Sequence, residues 1–134
     1  MKNFILKILI FFSVIISFNI SAYGKSNTHL FLEKDYQQAW CRMHNGITEY
    51  RLPDKSRVDC LTNTHVIEFD FVKKVYESIG QALYYSAITG KKPGIVLISE
   101  SGDKDKSKID KLRKVSLKYH IDFWVMTIDD LLNN

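Results

Sequence analysis

The chain predicts an α/β domain, a sheet with helices packed on it, and three observations carry that prediction. Segments of helical spacing and segments of strand alternation succeed one another in the order α-β-β-β-α-β-α-β. The segment GIVLISE is apolar without interruption, as expected of a strand covered on both faces. Three shorter runs before it alternate and are separated by turn residues. With 134 residues, no internal repeat and no low-complexity segment, the chain has room for one domain.

The opening MKNFILKILIFFSVIISFNISAYG stands apart. It has a charged start (Lys2, Lys7), an apolar run over 8–18, and small residues at Ala22 and Gly24. That is the layout of a secretory signal peptide over 1–24, leaving 25–134 as the mature domain. The rival reading is an uncleaved anchor, because the run approaches the length that spans a bilayer. Nothing later in the chain is apolar enough to insert once the signal is removed, so the expected location is periplasmic or secreted. Loss of Lys2 and Lys7 lowers the formal net charge from +4 to +2. An excess that small neither demands nor excludes a polyanionic partner.

From 30 to 46, Leu30, Leu32, Tyr36, Trp40 and Met43 recur near helical spacing, and Asn45 and Gly46 end the run. ITEYRLP reads as a strand, with Asp54, Lys55 and Ser56 as its turn, and RVDCLT and HVIEFDF form two more around Asn63 and Thr64. The helical pattern returns over 72–89 and closes at Gly90. Pro93 and Gly94 lead into the apolar strand, and SGDKDKSK reads as a linker or helix start. A helix with Ile109, Leu112, Val115 and Tyr119 on one face and the strand IDFWVMTI complete the chain. Cys41 and Cys60 are the only cysteines, and export favours a disulfide between them. The alternative is two separately buried thiols.

Three carboxylates in the middle of the chain call for a physical reason. If Asn63 and Thr64 form a two-residue hairpin loop, Asp59 lies opposite Glu68, with Val58 opposite Phe69 and Cys60 opposite Ile67 on the apolar face. Asp70 joins the acid face two residues past Glu68. Like charges set opposite one another destabilise a ribbon. Mg²⁺ (or Mn²⁺) removes that conflict, since it is typically held by one or two carboxylates with water and substrate phosphate. A solvated outer face is the alternative. On the following helix Lys74 and Gln81, seven residues apart, differ by only about 20° around the axis. Glu77 and Tyr85 fall near the same stripe, which begins within a turn of the acid strand.

With these residues in place, the chain resembles the PD-(D/E)xK nuclease superfamily, and within it RecB-like and Holliday-junction-resolvase-like members. Asp59 matches the family Asp, Glu68 the acid of E-x-K, and the segment from Gln81 to Tyr85 matches Q-x-x-x-Y. The resemblance implies a restriction-endonuclease-like α-β-β-β-α-β core with a mixed sheet flanked by helices, here extended by a C-terminal helix and strand. It also implies hydrolysis of nucleic-acid phosphodiesters, with DNA ahead of RNA; the expected signal segment would put that activity outside the cytoplasm. Asp59, Glu68 and Asp70 are the implied metal ligands. Asp59, Glu68, Lys74 and Gln81 are the implied catalytic set, and Gln81 and Tyr85 the implied substrate contacts. Position 70 departs from the family, having Asp where E-x-K has lysine. In some members that lysine moves to the next helix, where Lys74 stands here. Otherwise catalysis is lost and the fold serves as a binding module of the cell envelope. The literal Pro53–Asp54 match falls at a turn and is read as a decoy, whereas Glu33 and Glu49 are candidates for a further acid. Arg57 is expected to neutralise Asp59 or Asp70, and His65 to be a loop or edge histidine.

Overall fold

The structure is a computed structural model and describes residues 29–133. The expected signal segment lies outside them. Its first helix, α1 (Glu33–Met43), begins where the Asp35 carboxylate accepts the Leu32 N–H at 2.8 Å. Strands β1 (Ile47–Arg51), β2 (Arg57–Leu61) and β3 (His65–Phe71) follow. A short 3₁₀ turn (Val72–Lys74) leads into α2 (Val75–Thr89), which Gly90 closes at φ +70°. Strand β4 (Lys92–Ile98) starts two residues before the expected Gly94, and a 3₁₀ turn (Gly102–Asp105) leads into α3 (Lys106–Tyr119). Strand β5 (Asp122–Met126) and a short α4 (Ile128–Leu132) end the described chain.

The five strands form one mixed sheet in the order β1-β2-β3-β4-β5, antiparallel across the first three and parallel across the last three. One face carries α1 and α4, with Tyr36 and Trp40 packed on Ile67, Phe69, Phe71, Val96 and Ile98. The other face carries α2 and α3, with Ala82 and Leu112 packed on Ile95 and Leu97. Among the described residues no helix is long and apolar enough to cross a membrane.

Cys41 and Cys60 are disulfide-bonded, joining the last turn of α1 to β2. Gly46 is the tight point beneath this bridge. A Cβ there would collide with both sulfurs, standing 2.6 Å from Cys41 Sγ and closer still to Cys60 Sγ. Any side chain would have to displace the staple.

Four expectations need correction. Leu30, Leu32 and Met43 are exposed, because α1 starts three residues later than expected and buries Tyr36, Gln37, Ala39, Trp40 and Cys41 instead. Tyr119 is exposed at the end of α3, where the helix runs past the edge of the core. The closing α4 was not anticipated, although Thr127 and Asp130 form a capping box, with the Thr127 N–H to Asp130 Oδ2 distance at 2.8 Å. Finally, the β2–β3 register holds at Cys60–Ile67 and Leu61–Val66 but goes no further along the hairpin. Val58 does not join Phe69 on the α1 face; it packs with Leu52, Val66 and Tyr85 on the other.

Candidate active site

That last difference makes the site. Val58 and Cys60 would share a face in a regular strand, yet here they lie in cores on opposite sides of the sheet. The chain reverses its facing at Asp59. Across the ribbon, Glu49 of β1 has φ +57°, a left-handed conformation in the middle of a strand. In place of a ladder partner, the Asp59 carboxylate accepts the Phe69 N–H at 2.8 Å. Strands β2 and β3 part at this point, and a cleft of about 460 Å³ opens between them, α2 and the β1–β2 hairpin.

Strand β3 supplies the floor. Ile67, Phe69 and Phe71 point to the α1 core, so Glu68 and Asp70 point the other way, into the cleft. Neither is a solvated surface acid: Glu68 is 2% exposed and Asp70 3%. Helix α2 runs beside them and contributes Gln81 and Tyr85, while Lys74 stands at its start. All six residues expected from the sequence (Asp59, Glu68, Asp70, Lys74, Gln81 and Tyr85) therefore line one cleft. Glu33 of α1 lines it as well, within reach of the charge on Asp70.

The electrostatics reflect too many acids for the available cations. Burial pushes the Glu33 carboxyl up to about 7, helped by Asp70 and Asp59 and opposed by Lys74. Burial also raises Asp59, against the stabilising Phe69 N–H. Glu68 is raised further, by burial first and then by the charge of Asp59. Asp70 is raised by burial and restrained by Lys74, whose own ammonium form Asp70 stabilises. Lys74 Nζ lies 3.3 Å from Asp70 Oδ1. That is an ion pair without hydrogen-bond alignment, and it leaves Asp70 Oδ1 and Glu68 Oε1 buried with no hydrogen-bond partner.

Several candidates are placed elsewhere or hold something else in position. Arg57 ion-pairs with Glu49 at 2.7 Å and neutralises neither Asp59 nor Asp70. Glu49 is thereby committed to Arg57 and to Gln37, whose Nε2 donates to Glu49 Oε1 at 2.8 Å. Asp54 sits at the hairpin turn, accepting from Ser56 and, at 2.6 Å, from the Tyr84 hydroxyl. His65 bonds Asp122 of β5 at 2.8 Å, away from the cleft. Lys91 reaches the Asn63 carbonyl and holds the β2–β3 turn.

Gln37 is the residue that sequence reasoning missed. It is 4% exposed, and the same Nε2 that meets Glu49 donates to the Asp59 carbonyl at 2.5 Å. A single buried amide thus holds both residues of the strand irregularity. The available signal was a polar residue next to Tyr36 on the buried face of an otherwise regular amphipathic helix.

Among the described residues, no three His, Cys, Asp or Glu side chains form a ready-made cage for a metal ion. The donors do fit a hard divalent cation bound in part by water and substrate. They are carboxylate oxygens only, Glu68 Oε1 is buried without a donor, Asp70 Oδ1 has only the Lys74 ammonium beside it, and burial opposes the ionisation of both. No family model, curated protein or solved structure matches this chain.

Proposed function

We propose that the protein is a metal-dependent phosphodiesterase acting on nucleic acid outside the cytoplasm, built on a PD-(D/E)xK-like core. The observation that carries this reading is that Glu68 Oε1 is buried with no partner and Asp70 Oδ1 is buried with only the Lys74 ammonium beside it, in one cleft with Asp59. A structural domain gains nothing from stripping water from those acids, whereas a cation site needs them. The order of helices and strands, with acids on β2 and β3 and Gln81 and Tyr85 on α2, agrees with the resemblance. The disulfide is compatible with an exported protein.

In this reading Asp59, Glu68 and Asp70 hold Mg²⁺ or Mn²⁺, with Glu33 as a further acid beside Asp70. When bound, the ion supplies a water of lowered pKa and charge stabilisation for the phosphoryl oxygens. Lys74, fixed by Asp70, stands where an ammonium can orient the attacking water or stabilise developing negative charge. Gln81 presents an amide to the phosphate, and Tyr85 packs beside it against Val66.

Purified mature protein incubated with plasmid, single-stranded DNA and RNA, with Mg²⁺ or Mn²⁺ and with chelator, tests this proposal. Cleavage should require metal and disappear in Glu68→Ala and Lys74→Ala. A second reading, a catalytically silent binding module on the same fold, is favoured by Asp70 standing where the family has lysine. Folded protein that leaves every substrate intact in every metal would select it.

A further inference from the structure

We propose that the cleft works on a polynucleotide strand from its end, with the strand lying over the β1–β2 hairpin and its terminus beside Glu33 and Glu77. The inference rests on reading the acids as a metal centre and adds the substrate class that such a centre serves here.

Length is the first ground. The residues of α2 and its leading turn that line the cleft run from Lys74 to Tyr85. Eleven helical steps cover roughly 16 Å. One strand carries a phosphate about every 3.4 Å of axis when stacked, so the cleft spans three or more phosphates even if the strand is stretched.

Charge is the second ground, because it is distributed unevenly along that length. At the Lys74 end stand Glu33, Asp70 and Glu77 against a single ammonium. At the Tyr85 end stand Arg51, Lys55 and Arg57 of the hairpin. Arg57 is taken by Glu49, but Arg51 and Lys55 make no ion pair among the described residues although five carboxylates share the cleft with them. Cations held apart from neighbouring acids are available to an anion that spans both groups. Phosphates continuing past the acids would instead meet Glu77, like charge against like. A strand therefore has favourable contacts on one side of the scissile position and repulsion on the other.

The hairpin is also held in place and is not a free loop. The Tyr84 hydroxyl bonds Asp54 at 2.6 Å, Asp54 caps the turn through Ser56, and Leu52 is buried against Tyr85. Its cations therefore face the cleft from a fixed support.

The decisive substrates are a linear single-stranded DNA and the covalently closed circle of the same sequence, each incubated with Mn²⁺. The linear strand should shorten from one end while the circle stays intact. A circle opened as fast as the linear strand is lost would overturn the end-acting geometry and leave the nuclease reading standing. Cleavage of neither would overturn the nuclease reading. A second arm measures binding of a linear oligonucleotide in Ca²⁺ over a salt series, for the parent and for the Arg51→Gln/Lys55→Gln double variant. Two lost phosphate contacts should flatten the slope of log affinity on log salt by about 1.4. An unchanged slope, in a variant that still folds, would sink the hairpin track whatever the first arm shows.

Discussion

Glu68 has given up its water and received no hydrogen-bond donor for Oε1, while Asp59 presses a second carboxyl against it. Replacing a group held at such cost should stabilise the metal-free protein. Glu68→Gln keeps the shape and supplies an amide donor to Asp59. It should raise urea-unfolding stability by about 1 kcal/mol at pH 8 and abolish Mn²⁺ binding by calorimetry. Lower stability with metal binding retained would show that Glu68 is a structural acid. Gln37 should behave in the opposite sense. In Gln37→Leu the buried Asp59 carbonyl loses its side-chain donor and Glu49 keeps only Arg57. Stability should fall by about 1–3 kcal/mol. Metal affinity should also drop about tenfold or more, as when an outer partner of a ligand is removed. A variant that loses stability but binds Mn²⁺ like the parent would confine Gln37 to packing.

Among the elements, β1 and β2 with α1 stapled to them form the unit on which the site depends. The disulfide closes a sequence separation of 19 residues, a constraint on the unfolded chain of about 3 kcal/mol in the chain-entropy model. The Cys41→Ala/Cys60→Ala variant should lose about that much stability in urea. Because Cys60 adjoins Asp59, metal affinity should weaken with it; an unmoved unfolding midpoint would mean that α1 and the hairpin hold each other without the bridge. The same unit shows what could and could not be read from sequence. The β2–β3 register was legible because Asn63 and Thr64 set the loop and Cys60 and Ile67 alternate inward. So was the convergence of β3 with α2, since period 2 fixes Glu68 and Asp70 on one face, although Lys74 lies in the 3₁₀ turn before α2 and not on the helical stripe that a spacing of 3.6 assumes. The reversal at Asp59 was not legible. Periodicity assumes a regular strand, and nothing local marks Glu49 as left-handed; what holds the irregularity is a pair of tertiary hydrogen bonds from Gln37 on the preceding helix, 12 residues from Glu49 and 22 from Asp59. Burial of Glu68 and Asp70 was likewise invisible, because alternation says which face a residue takes and not what covers that face.

At the scale of the whole molecule, a chain of formal net charge +4 carries a cleft in which acids outnumber compensation, and stability should depend on pH in an unusual direction. Paired surface carboxylates have depressed pKa values and stabilise a fold as pH rises. Here Glu33, Asp59, Glu68 and Asp70 are all raised, chiefly by burial. The native state therefore keeps protons that the unfolded chain has released, and stability falls as pH rises through that interval. For Glu33 the interval runs from its ordinary 4.5 to about 7, and Glu68 extends it upward. Below it both states are protonated and the contribution vanishes. Without divalent ions, and at constant ionic strength, the midpoint of thermal unfolding should be lower at pH 8 than at pH 5. The loss should be about 2 kcal/mol in all, allowing for the partial exposure of Glu33. Adding Mg²⁺ or Mn²⁺ should recover much of that loss at pH 8 and little at pH 5, because the ion competes for the carboxylates with the same protons. Calorimetric scans at the two pH values, with and without metal, read both effects. If stability climbs from pH 5 to pH 8 in the absence of metal, the acids find compensation within the protein. The electrostatic reason for placing a cation in this cleft would then be gone.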